Sequence, residues 1–256
     1  MIHPSAVVDA KAQLEEGVSV GAYSVIGPDV TIGKGSKIGP HVVIEGPTRI
    51  GEDNEIYQFA SVGAAPQDKK YAGEPTKLII GDRNVIRESC TLNRGTSQDI
   101  GKTVIGDDNW IMAYVHVAHD CVIGNNTIFA NNATLAGHVH IQDHAILGGF
   151  TLVHQFCCIG EYAFTGMGTA LTKDLPPYVT AFGSPALPRG INKEGLKRNG
   201  FSSDAIARIK QSYRMLYRQD LPFQQALIKM EEAYAEHPEI MAMYKFCRRS
   251  ERGIIR

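Results

Sequence analysis

Among the side chains between positions 116 and 155 that could hold, orient or move a proton are His116, His119, Asp120, His138, His154 and Gln155. An imidazole titrates near neutrality, so a histidine kept in one tautomer by a carboxylate can take a proton from a hydroxyl and free its oxygen to attack. His119 beside Asp120 supplies that pair, provided the chain turns between them, since neighbours on a flat strand point to opposite sides. Taken singly, each histidine is more readily read as structural; the cluster reverses that reading. Gly137 adds a second element, because an N–H with no side chain beside it can face a reacting carbonyl and stabilise the oxyanion. A packing or turn glycine is the bland reading of the same residue.

The elements that position these groups are legible as a six-residue step. Val8, Leu14, Val20, Ile26, Ile32, Ile38, Ile44, Ile50, Ile56 and Val62 follow one another at that spacing, which resumes at Ile80, Ile86 and Leu92 and again from Ile105 to Leu171. A column of mostly small residues lies four positions later, including Ser24, Ala60, Cys121, Ala133 and Ala145. One large and one small inward position per hexad describe a narrow coil of short parallel strands, a parallel β-helix. Three hexads make one triangular coil, so side chains 18 positions apart stack at roughly 4.8 Å. A sandwich of ordinary strands would show longer and less regular turn spacing.

Two stretches leave the register. Residues 64–77 and 97–103 read as protruding loops, and counting hexads places both on the face that holds Val117, Leu135 and Val153, beside the histidines. Residues 1–190 are thus expected to form the β-helix and 191–256 a helical domain. In the tail, Asn192 to Asn199 is a short helix candidate, Ser202 caps a helix reaching about Gln219, and Pro222 and Pro238 open two more. The stretch from Asp174 through Gly183, Pro185 and Pro188 reads as irregular.

Within each hexad the residues two and three after the aliphatic one fall at a corner and point outward. His119 and Asp120 occupy those offsets, followed one coil later by Gly137 and His138 and two coils later by Gln155 and Phe156. His154 sits beside Gln155, and His116 faces outward on the adjoining strand. Stacked histidines can also bind zinc, as in the hexapeptide-repeat carbonic anhydrases, but here His138 stacks over Asp120 and His119 over Gly137 and Gln155. That column is a poor three-histidine cage, so no metal and no cofactor is expected. Cys90, Cys121 and Cys157 belong to the inward column and are core rather than nucleophiles.

The 256 residues carry a net charge of −1 and 43% hydrophobic residues, ample for a core and without the basic excess that nucleic acid would call for. The charge is uneven: from Lys193 onward 13 Lys and Arg face 8 Asp and Glu, a surface suited to an acidic partner or simply a solvated basic face. Five cysteines without a CxxC pair, no signal peptide and no long apolar run point to a cytoplasmic protein with no membrane span.

On the segments NEIYQFASVG (54–63), QDKKYAGEPT (67–76), HVAHDCVIG (116–124), NNATLAGHV (131–139), VHQFC (153–157) and EGLKRNGFS (194–202), the chain resembles the acyl-carrier-protein:UDP-N-acetylglucosamine O-acyltransferases that begin lipid A synthesis. The resemblance implies a left-handed coil and a homotrimer with active sites between subunits. It implies transfer of a 3-hydroxyacyl chain from acyl carrier protein to the 3-hydroxyl of UDP-N-acetylglucosamine. His119 would be the general base, Asp120 its orienting partner and the Gly137 N–H the oxyanion donor. Asp68, Lys70, His116, His138, His154 and Gln155 would contact the sugar nucleotide or the acyl chain. Asn192, Glu194 and Arg198 would reach the nucleotide from a neighbouring subunit, and Asn199 stands where the family usually carries a second arginine. Met167 falls where some members have glycine at the end of the acyl pocket. Three other classes remain open at this level. A sister N-acyltransferase of the same pathway usually carries an extra N-terminal domain, whereas here the hexads begin at Val8. A zinc-dependent β-helix lyase would bind metal, and a purely structural coil would tolerate loss of every histidine.

Overall fold

Each hexad builds one side of a triangular coil. Its aliphatic residue ends a short strand, the residue before it faces outward, and the small residue before that again turns in; Ser24, Val25 and Ile26 are buried, exposed and buried in turn. The computed structural model, which describes residues 1–256, winds these sides into a left-handed parallel β-helix with three ladders of nine, eight and ten strands. The first face runs from Val7–Val8 to Ala170–Leu171, the second from Gln13–Leu14 to Cys158–Ile159, and the third from Ser19–Val20 upward. Pairing is in register at 18 residues, as in Val25 with Val43 and Ile26 with Ile44. The aliphatic columns form a continuous buried core in which each fully enclosed Ile or Val contributes about 2 kcal/mol.

Corners close in the left-handed region of backbone space. The residue three after the aliphatic one has φ of 59° at Tyr23, 58° at Asp120, 62° at His138 and 64° at Phe156. An L-residue there costs about 1 kcal/mol, which the strand pairing on either side offsets. The repeated conformation also aims corner side chains the same way in every coil. Phe156 therefore lies flat on His138, with ring centres 4.3 Å apart and planes 9° from parallel.

The small inward column is not wholly apolar. Asn54 Oδ1 accepts from the Asn84 backbone N–H at 2.9 Å, Asn84 Oδ1 from that of Asn109 at 2.9 Å, and Asn109 Oδ1 from that of Thr127 at 2.8 Å. The partners are 30, 25 and 18 residues apart. This buried ladder carries the register across both insertions.

The strands define the loops as residues 65–76 and 94–101, since Ser61–Ala64, Lys77–Ile80 and Lys102–Ile105 all pair in the sheets. The second loop begins three residues earlier than the hexad count suggests, because Asn93 ends a strand and Arg94 and Thr96 are buried. The two loops hold each other: the Arg94 guanidinium donates to Gly63 O and the Tyr71 hydroxyl, Ser97 Oγ donates to Glu74, and Gln98 to Asp68.

The stretch read as irregular after Asp174 holds a strand, Val179–Phe182, which extends the third face and pairs antiparallel with Leu187–Ile191. Gly183, Pro185 and Pro188 mask it in the sequence, while Val179 and Ala181 still point into the core. The tail contains four helices: α1 (Lys193–Arg198), α2 (Ser203–Tyr217), α3 (Phe223–Tyr234) and α4 (Pro238–Arg249). Asn192 and Ser202 cap the first two with their side chains, and Pro238 opens the last.

Candidate active site

His119 and Asp120 meet because the chain turns at their corner. With Asp120 at positive φ, its carboxylate folds back to His119 Nδ1 at 2.9 Å. The sequence offset placed Asp120 pointing outward; instead it is 0% exposed, because loop 94–101 lies over it. Thr96 N–H donates to both carboxylate oxygens at 2.9 and 3.0 Å, and Thr96 Oγ to one at 2.7 Å. With its oxygens taking three hydrogen bonds from Thr96, the carboxylate is fixed against the Nδ1 side of the ring, an arrangement that suits a proton on Nδ1. The His119 Nε2 then carries the lone pair, and it has no hydrogen bond within the chain.

Gly137, one coil further along the stack, lies directly against that ring. A Cβ built on it would fall 2.5 Å from His119 Cε1 and 2.7 Å from Nε2, distances no side chain can occupy. The glycine thus makes room for the imidazole, and its N–H makes no hydrogen bond in the coil ladders. Among the residues that follow, His138 stands edge-on to His119, with ring centres 5.0 Å apart, and it is closed in on its other side by Phe156.

Other expected site residues divide by position. His116, on the strand His116–Val117 that leads into this corner, shares a 2.7 Å hydrogen bond with Thr91 Oγ1 on the neighbouring strand. Burial, and then the charge of His119, push its pKa below the ordinary histidine value, which keeps it neutral. His154 and Gln155 are exposed two coils above His119. Asp68 is half-buried and Lys70 exposed in loop 65–76, where Asp68 accepts from the Lys70 backbone N–H.

Asn192, Glu194 and Arg198 are not brought to this corner within one chain. The Asn192 amide donates to Tyr162 O and accepts from Gly195, placing α1 at the corner between the second and third faces. Glu194 and Arg198 are exposed there. Met167, 79% exposed, lies at the remaining corner beside Phe150. It stands across the first face from His119 and three strand steps, roughly 14 Å, further along the stack.

Thr96, Arg94 and Asp99 were not singled out from the sequence. They come from an insertion with no period, and the only available signal was that both insertions return to the face that bears the histidines. The cysteines offer no nucleophile: all of Cys90, Cys121 and Cys157 are enclosed, and burial pushes the Cys121 thiol up to about 12. His119, Asp120 and His138 are the one cluster with metal-ligand atoms close together, within 4.8 Å. Their inward-facing nitrogens are already committed to carboxylates, Asp120 and Asp99. This donor set is arranged to fix imidazoles rather than to enclose an ion.

A family model described as "Udp N-acetylglucosamine O-acyltransferase; Domain 2" matches residues 174–255, and a bacterial transferase hexapeptide model matches 11–46, 29–64 and 102–137. The acyl-[acyl-carrier-protein]--UDP-N-acetylglucosamine O-acyltransferase of Herminiimonas arsenicoxydans is 61% identical, with 100% of this chain and 99% of that protein covered. LpxA from Acinetobacter baumannii superposes with a TM-score of 0.97 at 46% identity, covering 100% and 99% of the two chains. The UDP-N-acetylglucosamine acyltransferase of Francisella novicida gives a TM-score of 0.98 at 40% identity, covering 100% and 94%.

Proposed function

Because the chain belongs to the acyl-[acyl-carrier-protein]--UDP-N-acetylglucosamine O-acyltransferase family, we propose that it moves a 3-hydroxyacyl chain from acyl carrier protein to the 3-hydroxyl of UDP-N-acetylglucosamine by direct transfer, with His119 as general base. The observation that carries this reading is the His119–Asp120 contact beneath loop 94–101, which leaves Nε2 free beside Gly137. His119 Nε2 takes the proton of the sugar hydroxyl as its oxygen attacks the thioester carbonyl. Asp120 stabilises the imidazolium that forms, and the Gly137 N–H receives the carbonyl oxygen as it becomes an oxyanion. When the tetrahedral intermediate collapses, the thiolate of the carrier leaves and takes the proton back from His119. No acyl-enzyme is required, since the nearby hydroxyl of Thr96 is bound to Asp120 and the neighbouring thiol of Cys121 is buried.

The assembly belongs to the same reading. Val7, Val25, Val43 and Leu152 expose apolar side chains on the first face, and Tyr23, Phe59, Tyr114 and Phe150 do so along its edge. An apolar strip of this extent is expected to be covered, and a homotrimer would cover it while bringing α1 of one subunit toward the His119 corner of the next. Asp68, Lys70, His116, His138, His154 and Gln155 would then line the near wall of the substrate cleft, and Asn192, Glu194 and Arg198 the far one. The basic tail suits an acidic carrier protein. A cytoplasmic setting fits five free cysteines, and no helix is long and apolar enough to cross a membrane.

The direct test is an assay of the purified protein with UDP-N-acetylglucosamine and a series of 3-hydroxyacyl carrier-protein thioesters. Formation of the 3-O-acyl product is the expected result; N-acylated product, or none with any thioester, would overturn the reading. The same series addresses Met167. A thioether at the end of the acyl groove shortens it, so the wild type is expected to favour chains shorter than fourteen carbons. Met167→Gly should raise the relative rate with fourteen-carbon donors about tenfold or more. An unchanged chain preference would remove Met167 from the role.

A further inference from the structure

His138 has one ring nitrogen toward the covering loop and the other with no partner in the chain. Its Nδ1 lies 2.6 Å from Asp99 Oδ2, whereas the nearest oxygen of Asp120 is 4.0 Å from the same nitrogen, beyond hydrogen-bond range. Asp99 comes from loop 94–101, 39 residues away in sequence, and is half-exposed. The ring itself is only 12% exposed. It is clamped flat by Phe156 and meets His119 edge-on. The ring plane is therefore set by packing, and its tautomer by a single carboxylate.

From this geometry we infer that Asp99 is a positioning residue: it accepts the Nδ1 proton of His138 and so presents Nε2 of that ring, as a hydrogen-bond acceptor, to a hydroxyl of the sugar acceptor. The inference rests on the substrate role proposed for His138. A neutral imidazole has one donor and one acceptor, and fixing the donor fixes the acceptor. Without Asp99 the ring can invert its tautomer and turn a donor toward the cleft, where it repels the hydroxyl hydrogen it should receive. Loop 94–101 then orients two histidines at once, His119 through Thr96 and Asp120, and His138 through Asp99.

Two measurements test this. The first needs no substrate: nitrogen NMR of the His138 ring at a pH where it is neutral. Wild type should show Nδ1 protonated, Asp99→Asn should retain that tautomer through its amide oxygen, and Asp99→Ala should shift the proton to Nε2. The same tautomer in wild type and Asp99→Ala would overturn the assignment, whatever reaction the protein catalyses. The second is a double-mutant cycle in the transfer assay. Asp99→Ala should lower kcat/KM for UDP-N-acetylglucosamine about tenfold, mostly through KM, and Asp99→Asn should recover most of the loss. In a His138→Ala background the Asp99→Ala change should cost less than twofold, because its effect travels through that ring. Equal losses in both backgrounds would make Asp99 a structural residue of the loop and refute the proposal. No transfer activity in wild type would sink the proposed reaction while the NMR result still decided the role of Asp99.

Discussion

His119→Ala is expected to lower the rate of acyl transfer by a hundredfold or more while the protein remains folded. The first part follows from the loss of the only imidazole whose Nε2 is both free and backed by a buried carboxylate; positioned general bases contribute about 10²–10⁴ in rate. The second follows from where the side chain sits. His119 occupies a corner, outside the aliphatic columns, and its removal leaves the coil ladders untouched. The loss should fall on kcat with little change in KM, as for a group that acts in the transition state. Steady-state kinetics with circular dichroism as a folding control checks this, and near-normal turnover would reject His119 as the base.

A second substitution, Gly137→Ala, should be nearly as damaging although it adds one methyl group. That carbon would sit 2.5 Å from His119 Cε1, so one of the two must move. The coil backbone is held on both sides by paired strands, whereas the imidazole can rotate away. The ring then leaves Asp120, and the methyl crowds the space where an oxyanion would meet the Gly137 N–H. A loss on the order of a hundredfold is expected, with melting temperature shifted by a few degrees at most. A crystal structure of the variant should show the His119–Asp120 hydrogen bond broken. If the bond persisted and activity stayed within threefold of wild type, the close packing of glycine and ring would have no catalytic meaning.

The coil was legible because its period maps directly onto geometry: a residue six positions on is one side further round, and a residue 18 on is stacked above. The same arithmetic located the histidine corner and the shared face of the two insertions. Helix starts were readable from Asn192, Ser202 and Pro238, whose side chains or ring geometry serve the first turn. Where the period lapsed, so did the reading. The strands at Val179–Phe182 and Leu187–Ile191 are interrupted by glycine and prolines that ordinarily mark loops. Asp120 looked exposed because its offset is an outward one, and its burial depends on Thr96, which belongs to an aperiodic insertion. Gly137 was noticed for its backbone N–H, but the space it leaves for His119 depends on a rotamer that no spacing encodes. The roles of His119, Asp120 and Gly137 in the reaction remain proposals that the two substitutions above test.

The buried asparagine ladder through Asn54, Asn84 and Asn109 has a consequence for how the molecule breathes. A solenoid whose coils touch only their neighbours opens from its ends, and its protection against hydrogen exchange falls off toward them. Here the ladder ties together the coils on either side of both insertions, and the two loops are cross-linked by Arg94, Ser97 and Gln98. These coils are expected to behave as a cooperative block in the middle of the stack, so that fraying of the first coil, where Met1, Ile2 and Val7 are exposed, should stop before reaching it. His119, Asp120 and their covering loop lie within or against that block. The proposed chemistry would thereby be insulated from the end of the stack, where opening is expected first.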